Sequence, residues 1–177
     1  YGTRIKVRVG ELEGYVAKKY IFETEEDGEW YLLSTSTTKA GANTNRDINI
    51  NIASSYINGK ILQPNEKFSF WDTVGKCTYD KGYKDATVYN NGKKTKGIGG
   101  GVCQVSTTVN MAVKSAGIKT NARQHSLPVS YASREDEATV SFGNIDFKFT
   151  NTTGKTIMLV MGAVDGSCTC EVWAKYE

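Results

Sequence analysis

The chain has 177 residues, 39% of them hydrophobic, enough to bury a real core in one domain. Twenty-two basic against nineteen acidic residues leave a net charge of +3, which excludes a strongly basic nucleic-acid binder and an acidic disordered tail. No apolar run approaches the ~20 residues of a membrane span, and eighteen Gly, ten Tyr and two Pro favour strands and turns over a helical bundle.

Residues 1–22 alternate apolar and polar around Ile5, Val7 and Val9, turn over Gly10–Gly14, and alternate again through Tyr15, Val16 and Tyr20. Two short strands are expected, and because a lone hairpin is marginal in water they read as part of a larger barrel. Their pattern resembles the closing strands of a bacterial SH3 domain. The acidic run 23–30 reads as a linker, and 31–177 as the main domain. The chain opens at Tyr1 without a basic or apolar leader, so a signal or anchor is expected to have been removed or to lie upstream.

Tyr31-Leu32-Leu33-Ser34 begins a strand that runs into a Ser/Thr-rich connection. Ile48, Ile52, Tyr56 and Ile57 then recur at helical spacing, with Asn43, Thr44 and Asn45 as caps and Asn58-Gly59 as a stop, predicting a helix over about 45–58. Phe68, Phe70 and Trp71 follow the Pro64-Asn65 turn as an apolar stripe; on a strand, neighbours Phe70 and Trp71 cannot both face the core. The segment 85–98 predicts a hairpin about Asn91-Gly92. Its lysines Lys93, Lys94 and Lys96 suit either a solvated edge or an anionic wall polymer.

A glycine loop then enters an amphipathic helix faced by Val105, Val109, Ala112 and Val113 and closed by Gly117. The remainder alternates as strands: SLPVSYA, ATVSF, IDFKFTN, TIMLVMGAV and CTCEVWAKY. The fold class is α+β, a mostly antiparallel sheet with one or two amphipathic helices, preceded by the short SH3-like hairpin.

Chemistry concentrates at Gly97–Thr108, GIGGGVCQVSTT. Glycine-exposed amides at a helix start favour an anion or a thiolate, and Cys103 stands where thiol pKa values fall. His125 arrives after the helix, the chain order of several thiol hydrolases, with Glu137 or Asp136 placed to orient it. The competing reading makes the glycines a packing device and Cys103 a small hydrophobe. A P-loop fails because Val-Cys-Gln follows the glycines, and a dinucleotide fingerprint fails at Val102. Cys77, Cys103, Cys168 and Cys170 form no metal ladder, and Cys168-Thr-Cys170 puts both thiols on one face of a strand. No metal or cofactor is expected.

Together GGGVCQVSTT, RQHSLPVSY and EATVSFGNIDFKFTN, with LLSTSTT, NRDININIA and INGKILQPNEKFSFWDTVG upstream, closely resemble the VanW family over about Tyr31–Trp173. The family is associated with vancomycin-resistance clusters. The resemblance implies an extracellular, wall- or membrane-associated protein that binds polysaccharide or peptidoglycan, with Cys103 as the family's own cysteine and a free thiol. Candidate ligand contacts are Gln104, Ser106, Thr107, Arg123, His125, Ser126 and Tyr131. The alternative it leaves open is a cysteine hydrolase or acyltransferase on peptidoglycan stem peptides, using Cys103, His125 and Glu137. One departure is Glu137-Ala138-Thr139 where the family usually has Asp-Ala-Thr; another is a shortened segment before it.

Overall fold

The structure, a computed structural model, describes residues 4–9, 12–17, 30–41, 43–90 and 92–176. Strands β1 (Arg4–Val9) and β2 (Leu12–Ala17) pair antiparallel, Val9 opposite Leu12. The second strand thus begins inside the stretch expected to turn, and the acidic linker lies outside the described residues up to Trp30.

The main sheet has four antiparallel strands in the order β3 (Trp30–Lys39), β10 (Ser167–Lys175), β9 (Ile157–Val164), β4 (Lys60–Leu62). Period-two alternation decides its faces. Cys168, Cys170, Val172 and Ala174 on β10, with Ile157, Leu159 and Met161 on β9, point one way into the core, while their neighbours are half-buried on the other face. Helices α1 (Thr44–Ile57) and α3 (Val102–Ser115) cover the buried face with Ile50, Ala53, Ile57, Val105, Val109, Ala112 and Val113. Together these side chains form one continuous apolar cluster.

A ribbon of β5 (Lys67–Ser69) and β8 (Lys148–Thr150) closes one end by bringing Phe68 onto Phe149, ring centroids 4.9 Å apart. The predicted hairpin forms as β6 (Asp85–Asn90) and β7 (Lys93–Ile98), and Gly92 takes a left-handed φ of 72°.

The α+β class stands, with corrections. Among the described residues three α-helices are present instead of one or two, because Phe70–Val74 is a single-turn helix, α2, and not a strand. Ser69 caps it by accepting from the Asp72 N–H, and the Asp146 carboxylate takes Ser69 Oγ at 2.7 Å and Trp71 N at 3.1 Å. Phe70 accordingly enters the core while Trp71 stays half-buried. The face of α1 is rotated: Ile50, Ala53 and Ile57 are buried with Asn49 and Ser54, whereas Ile48 and Ile52 are half-buried and Tyr56 is exposed. SLPVSYA and ATVSF form no strand; their backbone is tied to side chains of α3 and to Glu137.

Candidate functional site

The site is built around the start of α3. Gly101, its N-cap, has φ 111°, and a Cβ there would stand 2.9 Å from Arg46 Cγ. On Gly100 a Cβ would meet the Thr87 carbonyl oxygen at 2.6 Å, so the loop lies directly on the β6 backbone. Asn49, fully buried, locks this arrangement: its amide donates to the Lys84 and Gly100 carbonyls, both at 2.9 Å, and accepts from Lys84 N at 2.7 Å. Sequence reading missed Asn49 because its partners are backbone groups more than thirty positions away.

Cys103, the second residue of α3, is half-buried and points its thiol at the Val140 carbonyl, 3.4 Å away, with Thr139 Oγ1 at 3.9 Å. Burial raises its pKa against the opposing influence of Val140, Thr139 and Arg46. Of the two readings the sequence left open, an activated thiolate and a small packed thiol, this upward shift favours the second.

His125 is buried, with Nδ1 3.2 Å from Glu137 Oε2. Burial also lowers its pKa in spite of that carboxylate, leaving the imidazole neutral near pH 7. Glu137 accepts from the backbone N–H groups of His125 at 2.8 Å and Val129 at 3.2 Å, and from Arg134 Nη1 at 2.7 Å. Burial works against its ionisation, but the His125 and Val129 amides and the His125 ring outweigh it, so its pKa is lowered. Asp136 turns instead to Lys114, 2.7 Å away.

A groove of about 850 Å³ runs over Cys103 and His125. Cys103, Gln104, His125, Ser126 and Tyr131 line it, joined by Arg46, Trp71 and Phe142, which the sequence reading had not placed in the site. Trp71 and Phe142 meet edge to face at 5.5 Å, and Phe142 is 51% exposed. Tyr131 stands edge to face with His125 at 6.4 Å and carries the Arg46 guanidinium 5.6 Å from its ring centroid.

Three candidate contacts lie elsewhere. Ser106 donates to the Ala138 carbonyl at 2.6 Å and Thr107 accepts from Ala138 N at 3.1 Å, both fully buried on α3. Arg123 is exposed outside the groove, and its carbonyl accepts from Thr139 N at 2.8 Å. Gln104 reaches the groove with its amide already engaged: it donates to the Thr38 and Gly166 carbonyls at 3.3 and 3.1 Å and accepts from Arg46 Nη2.

The family model described as "VanW like protein" matches residues 45–173, which hold the whole of this groove apart from the approach to α1. The chain belongs to the VanW family. Among curated relatives, this VanW domain is 39% identical over 145 residues to "Uncharacterized protein YoaR" of Bacillus subtilis (strain 168), covering 81% of the chain and 46% of that protein. It is 30% identical over 142 residues to "Vancomycin B-type resistance protein VanW" of Enterococcus faecalis (strain ATCC 700802 / V583), covering 75% and 46%. The VanW chain described here thus spans about half the length of both relatives. No solved structure matches it significantly. No helix among the described residues is long and apolar enough to cross a membrane.

Proposed function

We propose that this VanW domain is a cell-envelope binding module that seats a segment of peptidoglycan or wall polysaccharide in the groove over α3. The observation that carries the reading is the groove's wall: Trp71, Tyr131 and Phe142 offer ring faces and edges beside polar groups, and the two thiols that line it, Cys77 and Cys103, both have pKa values raised by burial. Sugars stack on such rings while amides and hydroxyls fix their orientation. Membership of the family, and the resistance function in one relative's name, support an envelope location. The hairpin Arg4–Ala17 is consistent with the end of an SH3-type wall module.

The test is co-sedimentation with purified sacculi. Phe142→Ala removes a half-exposed ring and should weaken binding about tenfold, the order expected for a lost stacking contact, while the lost edge-to-face contact with Trp71 costs no more than about 1.5 kcal/mol of stability. Undiminished binding by both Phe142→Ala and Tyr131→Ala would exclude the groove as the binding site.

One observation favours a second reading. Cys103 and His125 share the groove wall, and the His125–Glu137 pair resembles the base and orienter of a thiol acyl-transfer enzyme. In that reaction the neutral imidazole would take the thiol proton as sulfur attacks a peptide carbonyl, then pass it to the leaving amine. Loss of stem-peptide turnover in Cys103→Ala, with sacculus binding retained, would select this reading.

A further inference from the structure

We propose that the groove recognises a carboxylate of a wall peptide, and that Arg46 is its anchor. The inference rests on the binding reading above and names the chemical group that would be bound. Two cations, Arg46 and Lys76, line the groove, and no Asp or Glu does so among the described residues. A cavity of that composition holds a positive potential with nothing inside to neutralise it.

Arg46 is not a loose surface side chain. Its Nη2 donates to Gln104 Oε1, and Gln104 is itself fully buried and held through its amide nitrogen by the Thr38 and Gly166 carbonyls. The aliphatic stem packs where Gly101 lacks a Cβ, and the guanidinium carbon stands 5.6 Å over the Tyr131 ring centroid. These neutral partners fix its geometry and leave its charge unspent. No carboxylate among the described residues forms an ion pair with it, and its Nε is buried without a hydrogen-bond partner, which leaves the Nη groups to meet a ligand. A planar fork held this way suits a carboxylate better than a hydroxyl or an amide. The starts of α1 and α3, Asn43 and Gly101, reach the same groove and add to the field. A polyphosphate chain would be better served by a row of cations than by one anchored guanidinium, so a peptide is favoured over an anionic polymer.

The test uses an N-acetylated tetrapeptide, L-alanyl-D-isoglutaminyl-L-lysyl-D-alanine, whose C-terminus is its sole carboxylate. Its C-terminal amide, a chitooligosaccharide and glycerol-phosphate wall polymer serve as comparison ligands in calorimetric titrations of the whole chain. The wild type should bind the free acid at least about tenfold tighter than the amide, as loss of a charge-assisted pair predicts. Arg46→Met should erase that preference, and Arg46→Lys, which keeps charge without the fork, should retain a fraction of it. Because acid and amide are compared on the unaltered protein, a folding defect in the variants cannot imitate the result. Equal affinity for acid and amide would overturn the proposal while leaving the binding reading intact. Tighter binding of the phosphate polymer, lost in Arg46→Met, would overturn it in favour of a polyanion. Binding of none of the four ligands would remove both readings.

Discussion

Glu137 shows how much one side chain organises here. It is fully buried yet ionised, and it collects two backbone N–H groups, the His125 ring and Arg134. Glu137→Gln would leave these donors facing a neutral amide and should cost about 2–4 kcal/mol, between the cost of an unsatisfied buried group and that of a broken buried ion pair. The pH profile follows from two depressed pKa values. His125 lies below its ordinary 6.5 when folded, so the unfolded chain takes up that proton first and stability falls as pH drops below about 6.5. Glu137 lies below its ordinary 4.5, so its contribution is present above that value and lost as pH falls further. Unfolding midpoints measured from pH 8 to pH 3 should therefore decline in two stages. Glu137→Gln should flatten the lower stage, apart from the part due to Asp136, which Lys114 holds below its ordinary 3.8. An unchanged lower stage in that variant would show that the carboxylate is not the group titrating.

At the scale of elements, α3 acts as a partner for chain that has no strand to pair with. Ser106, Thr107 and Asn110 bond the backbone of residues 136 and 138, and Thr108 meets Thr38 on β3 at 2.7 Å. That arrangement explains which parts of the fold were legible in the sequence. Helix α3, the β6–β7 hairpin and the long strands β9 and β10 are specified by caps, turn residues and periodicity within one segment. The SLPVSYA and ATVSF segments also alternate, since Val129, Ala138 and Val140 are buried. Their hydrogen bonds, however, join no ladder: Ala138 bonds Ser106 and Thr107 of α3, Val129 bonds the Glu137 side chain, and Thr139 bonds the Arg123 carbonyl, pairings that alternation does not reveal. Arg46 and Asn49 were missed for the same reason: each is a polar residue of α1 whose partners lie more than thirty positions on. The glycine loop was legible as a motif, with close packing as one of its two readings, but the backbone it packs on was not. Gly100→Ala would press a Cβ onto the Thr87 carbonyl at 2.6 Å, against backbone that cannot rotate away. It should lose about 2–3 kcal/mol, the upper part of the overpacking range. Gly41→Ala, where nothing lies within 4 Å, should be neutral. A thermal melt of the two variants separates close packing from mere glycine flexibility.

Across the whole molecule, the placement of four free thiols bears on which function the groove performs. Cys168 and Cys170 share the buried face of β10, as their spacing predicts, and both have raised pKa values through dehydration. Cys77 and Cys103 line the groove; Cys77 is pushed up to about 11, chiefly by burial, and Cys103 is pushed up as well. Alkylation requires the thiolate, so all four thiols should resist iodoacetamide at pH 5–6 in the native protein. As pH rises past 9, labelling of Cys77 and Cys103 should accelerate through ionisation, ahead of the sheet cysteines. Cys168 and Cys170 should react at the rate at which the core opens, and so should respond to mild denaturant more than to pH. Mass spectrometry after timed quenching reads the four sites separately within one sample. Rapid labelling of Cys103 at pH 5–6, with the other three protected, would mean that the helix start and Arg46 overcome dehydration after all. The binding reading would then lose the dehydrated thiol among its supports, and acyl transfer through Cys103 and His125 would become the better account of the groove. Slow labelling leaves Cys103 as a wall of the binding groove, where the wall's rings and the Arg46 charge, more than a nucleophile, set what is held.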